Sequence, residues 1–200
     1  MVFKLRHNAL ENREKRIKRL HNRSKPNTPT TSGLTIFCLT DLADGRFFKT
    51  LSILDEFTRE CLGIRIATSI LSQDVITFLS AILQQRSAPV FLRSDNGSEF
   101  TADSVQTWLA QNKLGPAFIP PGQPWKNSFI ESFHDKFRDE CLRREWFQSL
   151  LDAQVVIEDW RLHYNTQRPH SSLDYKTPAD FAAQYTIQLV QTLIPVGHKN

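Results

Sequence analysis

The chain has 200 residues, 40% hydrophobic and 23% charged, which suits one domain with a real core plus extensions. No apolar run approaches the ~18 residues of a membrane span, and the N-terminus lacks the apolar stretch of a signal peptide. The three cysteines, Cys38, Cys61 and Cys141, fit neither a disulfide framework nor a Cys-x-x-Cys zinc site, so a reducing cytoplasm is the expected home.

The net charge of +4 is unevenly spread: residues 1–25 hold nine Lys/Arg against Glu11 and Glu14, leaving 16 basic and 19 acidic residues in 26–200. Residues 1–33 are poor in apolar side chains and end in Pro26-Asn27-Thr28-Pro29-Thr30-Thr31-Ser32-Gly33, so they read as a basic, disordered arm. Such an arm grips phosphates through counterion release without reading sequence.

Leu34–Leu42 is an apolar run, Asp44-Gly45-Arg46 marks a hairpin, and Phe47–Leu54 continues as a second strand. A tight connection over Asp55–Glu60 leads to a third strand, Cys61–Ala67, and Asp55 reads as the residue that holds this connection. Ser72–Gln85 is a helix with Ser72 as its cap and Val75, Phe78, Leu79 and Ile82 on one face. Val90–Ser94 is a fourth strand ending in the turn Asp95-Asn96-Gly97, Ala102–Asn112 a second helix, and Ala117–Ile119 a short fifth strand. From Trp125 to Trp146 the spacing predicts one long helix, with Phe129, Phe133, Phe137 and Cys141 on one face and Glu131 and Arg138 on another. A further helix spans Leu151–Tyr164, and Thr186–Pro195 is an apolar tail with no assignment.

The chemistry concentrates between Arg93 and Arg138. Asp95 stands at the carboxyl end of a strand, where open α/β sheets place their sites, and Glu131 follows after 35 intervening residues. An isolated Asp-Asn-Gly is usually only a turn, and a Glu on an amphipathic helix usually only a solvated charge. Here the flanking residues carry more, with Ser94-Asp95-Asn96-Gly97 leading to Glu99-Phe100, and Pro121-Gly122, Pro124, Asn127 and Glu131-Ser132-Phe133 following in order. The run Tyr164-Asn165, Arg168-Pro169-His170, Leu173, Tyr175 and Thr177-Pro178 closes the series.

These motifs resemble those of transposases and integrases with a retroviral-type integrase core, and most closely the transposases of bacterial insertion sequences. The resemblance implies a ribonuclease-H-like fold, an α/β mixed sheet with helices on both faces, over residues 34–184, with 185–200 left as a tail. It implies DNA transposition by metal-dependent cleavage and strand transfer. Two Mg²⁺ (or Mn²⁺) ions would be held by Asp95 and Glu131, with DNA contacts from Lys126, Asn127, Lys136 and Arg138. Hard divalent cations take oxygen ligands of this kind, and a pair of ions clamps both oxygens of an in-line displacement. The partners implied are DNA ends and target, and a second copy of the chain; the location implied is the bacterial cytoplasm, in association with the nucleoid. Arg168 and His170 read as fasteners of the closing motif rather than as catalytic groups.

One ligand is missing. The family pattern in the first strand is Trp-x-x-Asp-Phe, its Asp eight residues before the Asp of the hairpin. Eight before Asp44 is Ile36, and Gly33 stands where Trp belongs. Asp41 is the nearest substitute, five residues and ~16 Å farther along the strand. Codons exist for Ser32–Thr40 that, read from the third nucleotide, give Trp-Ser-Tyr-Asp-Phe-Leu-Leu-Asp, so residues 1 to about 40 are read as the product of a shifted frame. The expectation is a transposase core impaired by its lost carboxylate, since positioning dominates catalysis of phosphoryl transfer. The alternative is a non-catalytic DNA-binding remnant; a ribonuclease-H-type hydrolase comes third.

Overall fold

The structure, a computed structural model, describes residues 33–86, 88–89, 91–94, 97–118 and 128–193. Except for Gly33, the basic arm therefore lies outside the described residues, as do Asp95, Lys126 and Asn127. Five strands form one sheet: β1 Gly33–Asp41, β2 Phe47–Asp55, β3 Cys61–Ala67, β4 Phe91–Ser94 and β5 Gly115–Phe118. Their order is β3-β2-β1-β4-β5, with β1–β2 and β2–β3 antiparallel and β1–β4 and β4–β5 parallel. It is the mixed sheet expected from the sequence.

The hairpin between β1 and β2 closes as its residues dictate. Gly45 takes φ +80°, a conformation that costs glycine little. Asp44 accepts from the Arg46 backbone N–H at 3.0 Å and from Arg46 Nε at 2.7 Å. At the other end of β2, Asp55 Oδ1 accepts from the N–H groups of Phe57 (2.7 Å) and Thr58 (3.0 Å), which makes it the connection holder predicted.

Two apolar layers sandwich the sheet because β2 is buried on both sides. Phe48 and Leu54 pack with Ile130, Phe133, Phe137, Ile157 and Tyr164, whereas Leu51 and Ile53 pack with Val75, Leu79, Phe100, Val105 and Leu109. The second layer rests on α1 (Ser72–Gln85), α2 (Ser98–Thr101) and α3 (Asp103–Gln111). Gly63 lets α1 come close, since a Cβ there would meet Phe78 Cζ at 2.9 Å. The first layer rests on α4 (Ser128–Phe137) and α5 (Leu150–Thr166). A last helix, α6 (Pro178–Leu193), runs through the 184/185 limit drawn from the motifs; Phe57 packs on its Phe181 and Tyr185 at 5.4 and 4.8 Å between ring centroids.

Three sequence expectations need correction. The N-cap of α1 is Leu71, not Ser72; its N–H donates to Asp74 Oδ2 at 2.9 Å, so the stabilising side chain comes from inside the helix. The helix expected over Ala102–Asn112 has a separate short turn before it, α2, which seats Phe100 in the core. The long helix expected from Trp125 to Trp146 is α-helical among the described residues only over Ser128–Phe137. It then widens into a π turn, Arg138–Leu142, and ends. A π turn inserts an extra residue into the helical repeat, which here lets Cys141 and Leu142 both bury. Trp146 is left exposed beyond it.

Two side chains of the closing motif tie it to the core. Asn165, on α5, exchanges hydrogen bonds with the Cys61 backbone at 2.8 and 2.9 Å, tying the helix to the start of β3. Arg168 forms a two-pronged ion pair with Glu140 of the π turn, which holds the Glu140 carboxyl below its usual range. Planar, bidentate pairs of this kind are the strong ones. Arg168→Ala is expected to lower unfolding stability by ~1–2 kcal/mol, measured by urea denaturation. Arg168→Lys should recover less than half of that, because an ammonium lacks the fork.

Candidate active site and nucleic-acid interface

The register between β1 and β4 is the central geometric fact. Thr35 pairs with Ser94, which is buried and immediately precedes Asp95. The next residue of β1, Ile36, pairs with Ser52 on its other side. The position eight before the hairpin Asp thus lies in the row that runs to the end of β4. An ion pair of 2.6 Å between Arg93 and Glu56, both largely buried, ties β4 to the turn after β2 and so steadies the strand end.

Glu131 lies in the first turn of α4 and is exposed, while Ile130, Phe133, His134 and Phe137 bury the opposite side. The apolar face predicted from Phe133, Phe137 and Cys141 is present, with Phe129 half-buried at its edge. Arg138 is also exposed, at the start of the π turn. Lys136 is half-buried, and its ammonium donates to Ser132 Oγ at 2.6 Å, one helical turn back.

Asp41 is elsewhere. It pairs with Phe47 at the hairpin end of β1, six residues from Thr35, or ~20 Å along a strand. There it lines a cleft of about 650 Å³ together with Cys38, Arg138, Arg143, Glu145 and Trp146. Arg138 and Asp41 line one cleft, and Asp41 is not brought to the end of β4.

Beneath the α4 face lies a polar group that sequence reasoning missed. His134 is buried, its Nδ1 is 3.5 Å from Cys38 Sγ, and its Nε2 has no hydrogen-bond partner. Burial, and then the charge of Arg138, hold the imidazole pKa down to about 4, with Asp135 opposing. The Cys38 thiol is pushed up by burial, partly offset by Arg138. Ser52 Oγ, in the β2 row that pairs with Cys38 and Ile36, is buried without a partner among the described residues, while the Thr50 hydroxyl lies against the Cys38 thiol and lowers its pKa. A signal did exist: His134 falls on the same spacing as Ile130, Phe133 and Phe137, the buried side of α4.

Among the described residues, no three His, Cys, Asp or Glu side chains gather where they could hold a metal ion. The donor types fit a hard cation only in part. Asp95 and Glu131 would offer carboxylate oxygens, whereas the residue eight before the hairpin Asp is the apolar Ile36. No helix among the described residues is long and apolar enough to cross a membrane.

Comparison with known proteins agrees with this architecture. Two family models, both described as Integrase core domain, match residues 35–124 and 112–178. An uncharacterized 39.2 kDa protein of insertion element IS476 from Xanthomonas euvesicatoria is 43% identical over 159 residues, covering 80% of this chain and 46% of the relative. An uncharacterized 31.7 kDa protein of insertion element IS407 from Burkholderia multivorans is 39% identical, covering 80% and 58%. The transposase for insertion sequence element IS904 from Lactococcus lactis is 29% identical, covering 69% and 55%. The chain thus spans about half the length of the curated relatives it matches. Among solved structures, the catalytic core domain of BIV integrase superposes with TM-score 0.56 at 15% identity, covering 80% of this chain and 99% of that one. The HTLV-2 integrase core in complex with magnesium, in a dimeric form, gives 0.53 at 16%, covering 78% and 98%. These likenesses show the ribonuclease-H-like fold.

Proposed function

Since this chain belongs to the integrase core family of insertion-element transposases, we propose that it is a DNA-cleaving and strand-joining core whose present activity is low because Ile36 occupies the place of its first carboxylate. The observation that carries this reading is the β1–β4 register, with Thr35 against Ser94 and Ile36 beside the row leading to Asp95. Asp95 and Glu131 are the residues that would hold Mg²⁺ or Mn²⁺, and such ions supply Lewis-acid stabilisation of the phosphodiester oxygens. With two carboxylates in place of three, one ion lacks its anchor.

The chain's own residues have separable tasks. Glu131 presents its carboxylate from the solvent side of α4. Arg138, seven residues on and exposed, contributes a fixed positive charge to the incoming phosphate backbone. His134 stays neutral beneath them, so it adds no competing cation to the carboxylate site. Lys126 and Asn127 belong to the same proposed DNA face through their place just before α4 in sequence. The working form is a homo-oligomer on paired DNA ends, in the cytoplasm and on the nucleoid. The limits drawn from the motifs, 1–33 for the arm, 34–184 for the core and 185–200 for the tail, move outward to take in β1 from Gly33 and α6 to Leu193, and the segment up to about residue 40 derives from a shifted frame.

A nicking assay on supercoiled DNA with Mg²⁺ tests the reading. The purified chain is expected to nick slowly, and Glu131→Ala to remove what nicking there is. Nicking that persists in Glu131→Ala would sink the assignment. A second reading, a DNA-binding remnant without catalysis, is favoured by the same Ile36. It predicts duplex binding that survives EDTA, with no Glu131-dependent nicking at all.

A further inference from the structure

A separate cavity of about 250 Å³ opens beside α4, and three segments remote in sequence line it. Arg59 comes from the turn after β2, Ser132 and Lys136 from α4, and His170, Ser171 and Ser172 from the loop after α5. The aromatic rings of Phe129 and Tyr164 form its walls, with the Arg59 guanidinium carbon 4.2 Å above the Phe129 ring centroid. No carboxylate is among the lining residues. Glu56 and Asp55 both act on the Arg59 charge, but Glu56 also pairs with Arg93 at 2.6 Å, Asp55 accepts from two backbone N–H groups, and Glu140 is held by both prongs of Arg168.

Two buried nitrogens here lack partners, Arg59 Nε and His170 Nε2. A buried polar group left unpaired is costly, and Arg59 Nε is a donor in every state of the guanidinium. His170 donates from Nε2 in one of its two neutral tautomers. Burial first, and then the charges of Lys136, Arg168 and Arg59, hold its pKa down to about 4, so the imidazole sits in a positive field. Around these lie the hydroxyls of exposed Ser171 and Ser172 and the ammonium of Lys136. Convergent N–H and O–H donors, net positive charge and no acceptor carboxylate describe a site for a small oxyanion. Its volume equals roughly eight waters, room for one phosphate with part of its hydration and for nothing as large as a base pair.

We propose that this pocket seats one non-reacting phosphate of the DNA backbone, alongside the phosphodiester presented to Glu131. Ser132, which lines the pocket, is the chain neighbour of Glu131, so the two positions share one helix. The assignment rests on the DNA reading above for its source of phosphate. It adds a second point of grip that fixes the strand's direction across α4, which Arg138 alone does not do.

The test uses the full chain and a short labelled duplex, titrated by fluorescence anisotropy over a KCl series. Ser172→Glu places a carboxylate at the pocket mouth without touching the core. It is expected to weaken binding ~10-fold and to lower the salt slope by about one. Thr186→Glu, matched in charge on exposed α6 and outside the pocket, should bind as the parent does. Equal slopes for Ser172→Glu and the parent overturn the proposal. A parallel titration with inorganic phosphate follows the His170 imidazole by NMR, where a shift is expected in the parent and none in Ser172→Glu. A phosphate-induced shift with an unchanged DNA slope would mean a free-anion pocket and would also overturn the DNA assignment. A parent chain that binds no duplex fails the functional reading itself, and this assignment falls with it; the phosphate titration then shows whether the anion pocket exists in its own right.

Discussion

Ile36→Asp is expected to raise Mg²⁺-dependent nicking on the order of 10²-fold or more, the scale on which single charge-stabilising groups act in such sites. The site is prepared for the change at the level of the backbone. Ile36 pairs with Ser52 in β2 and follows Thr35, which pairs with Ser94 at the end of β4. Ser52 and Thr50, in the paired row of β2, carry buried hydroxyls that would serve a carboxylate in this row as donors. Those donors would offset part of the desolvation that otherwise makes a buried carboxylate expensive. Ile36→Asn, with similar shape and no charge, should restore nothing, and Ile36→Asp combined with Glu131→Ala should be silent. A folded Ile36→Asp chain, with unchanged circular dichroism, that nicks no faster than the parent would refute the impaired-site reading. The gene offers an independent check: translated in the neighbouring frame, the codons around 33–37 are expected to read Trp-x-x-Asp-Phe.

Acid is expected to unfold the chain in a window set by His134. Its folded pKa, about 4, lies below the ordinary 6.5, because burial and the charge of Arg138 both oppose protonation. With a depressed folded value, the unfolded chain takes up the proton first. The contribution is fully present above pH 6.5 and is lost as pH falls from 6.5 towards 4. The full drop corresponds to ~3 kcal/mol at pH 4. His170 adds in the same direction and by less, since it is half exposed. Asp55 works the other way, because burial raises its pKa and favours the folded chain at low pH. Carboxyls held low by their partners, Asp44, Glu140 and Glu158, add their own acid loss only nearer their ordinary range. Urea midpoints at pH 7, 6 and 5 therefore isolate the histidines. His134→Gln should flatten the slope across that window, and an undiminished slope in this variant would show that the acid sensitivity comes from elsewhere.

Much of the fold was legible because it is written in short-range spacing. Strand β3 and helix α1 fall where the sequence places them, and Asp44-Gly45-Arg46 makes its turn through its own side chains. Asp55 could be read as a turn holder because its partners are two and three residues away. The long helix after Trp125 misled for a reason in the same terms. A stripe at every fourth residue continues through Cys141, and apolar spacing alone does not distinguish an α turn from the π turn that places Cys141 and Leu142 together on the core.

The sequence by itself determined the kind of molecule: the order of strands and helices, the two spaced carboxylates with their flanking motifs, and the absence of a third where one is expected. Those features depend on neighbours within a turn or a strand, so local pattern carries them. Tertiary structure alone decided what those residues meet. The parallel β1–β4 register joins residues about sixty apart. The contact of His134 with Cys38 spans 96 positions, and the Arg59, Lys136 and His170 pocket draws on three separate elements. Such meetings are set by which faces pack and by how much polar surface they trap, and no local pattern in the chain records them.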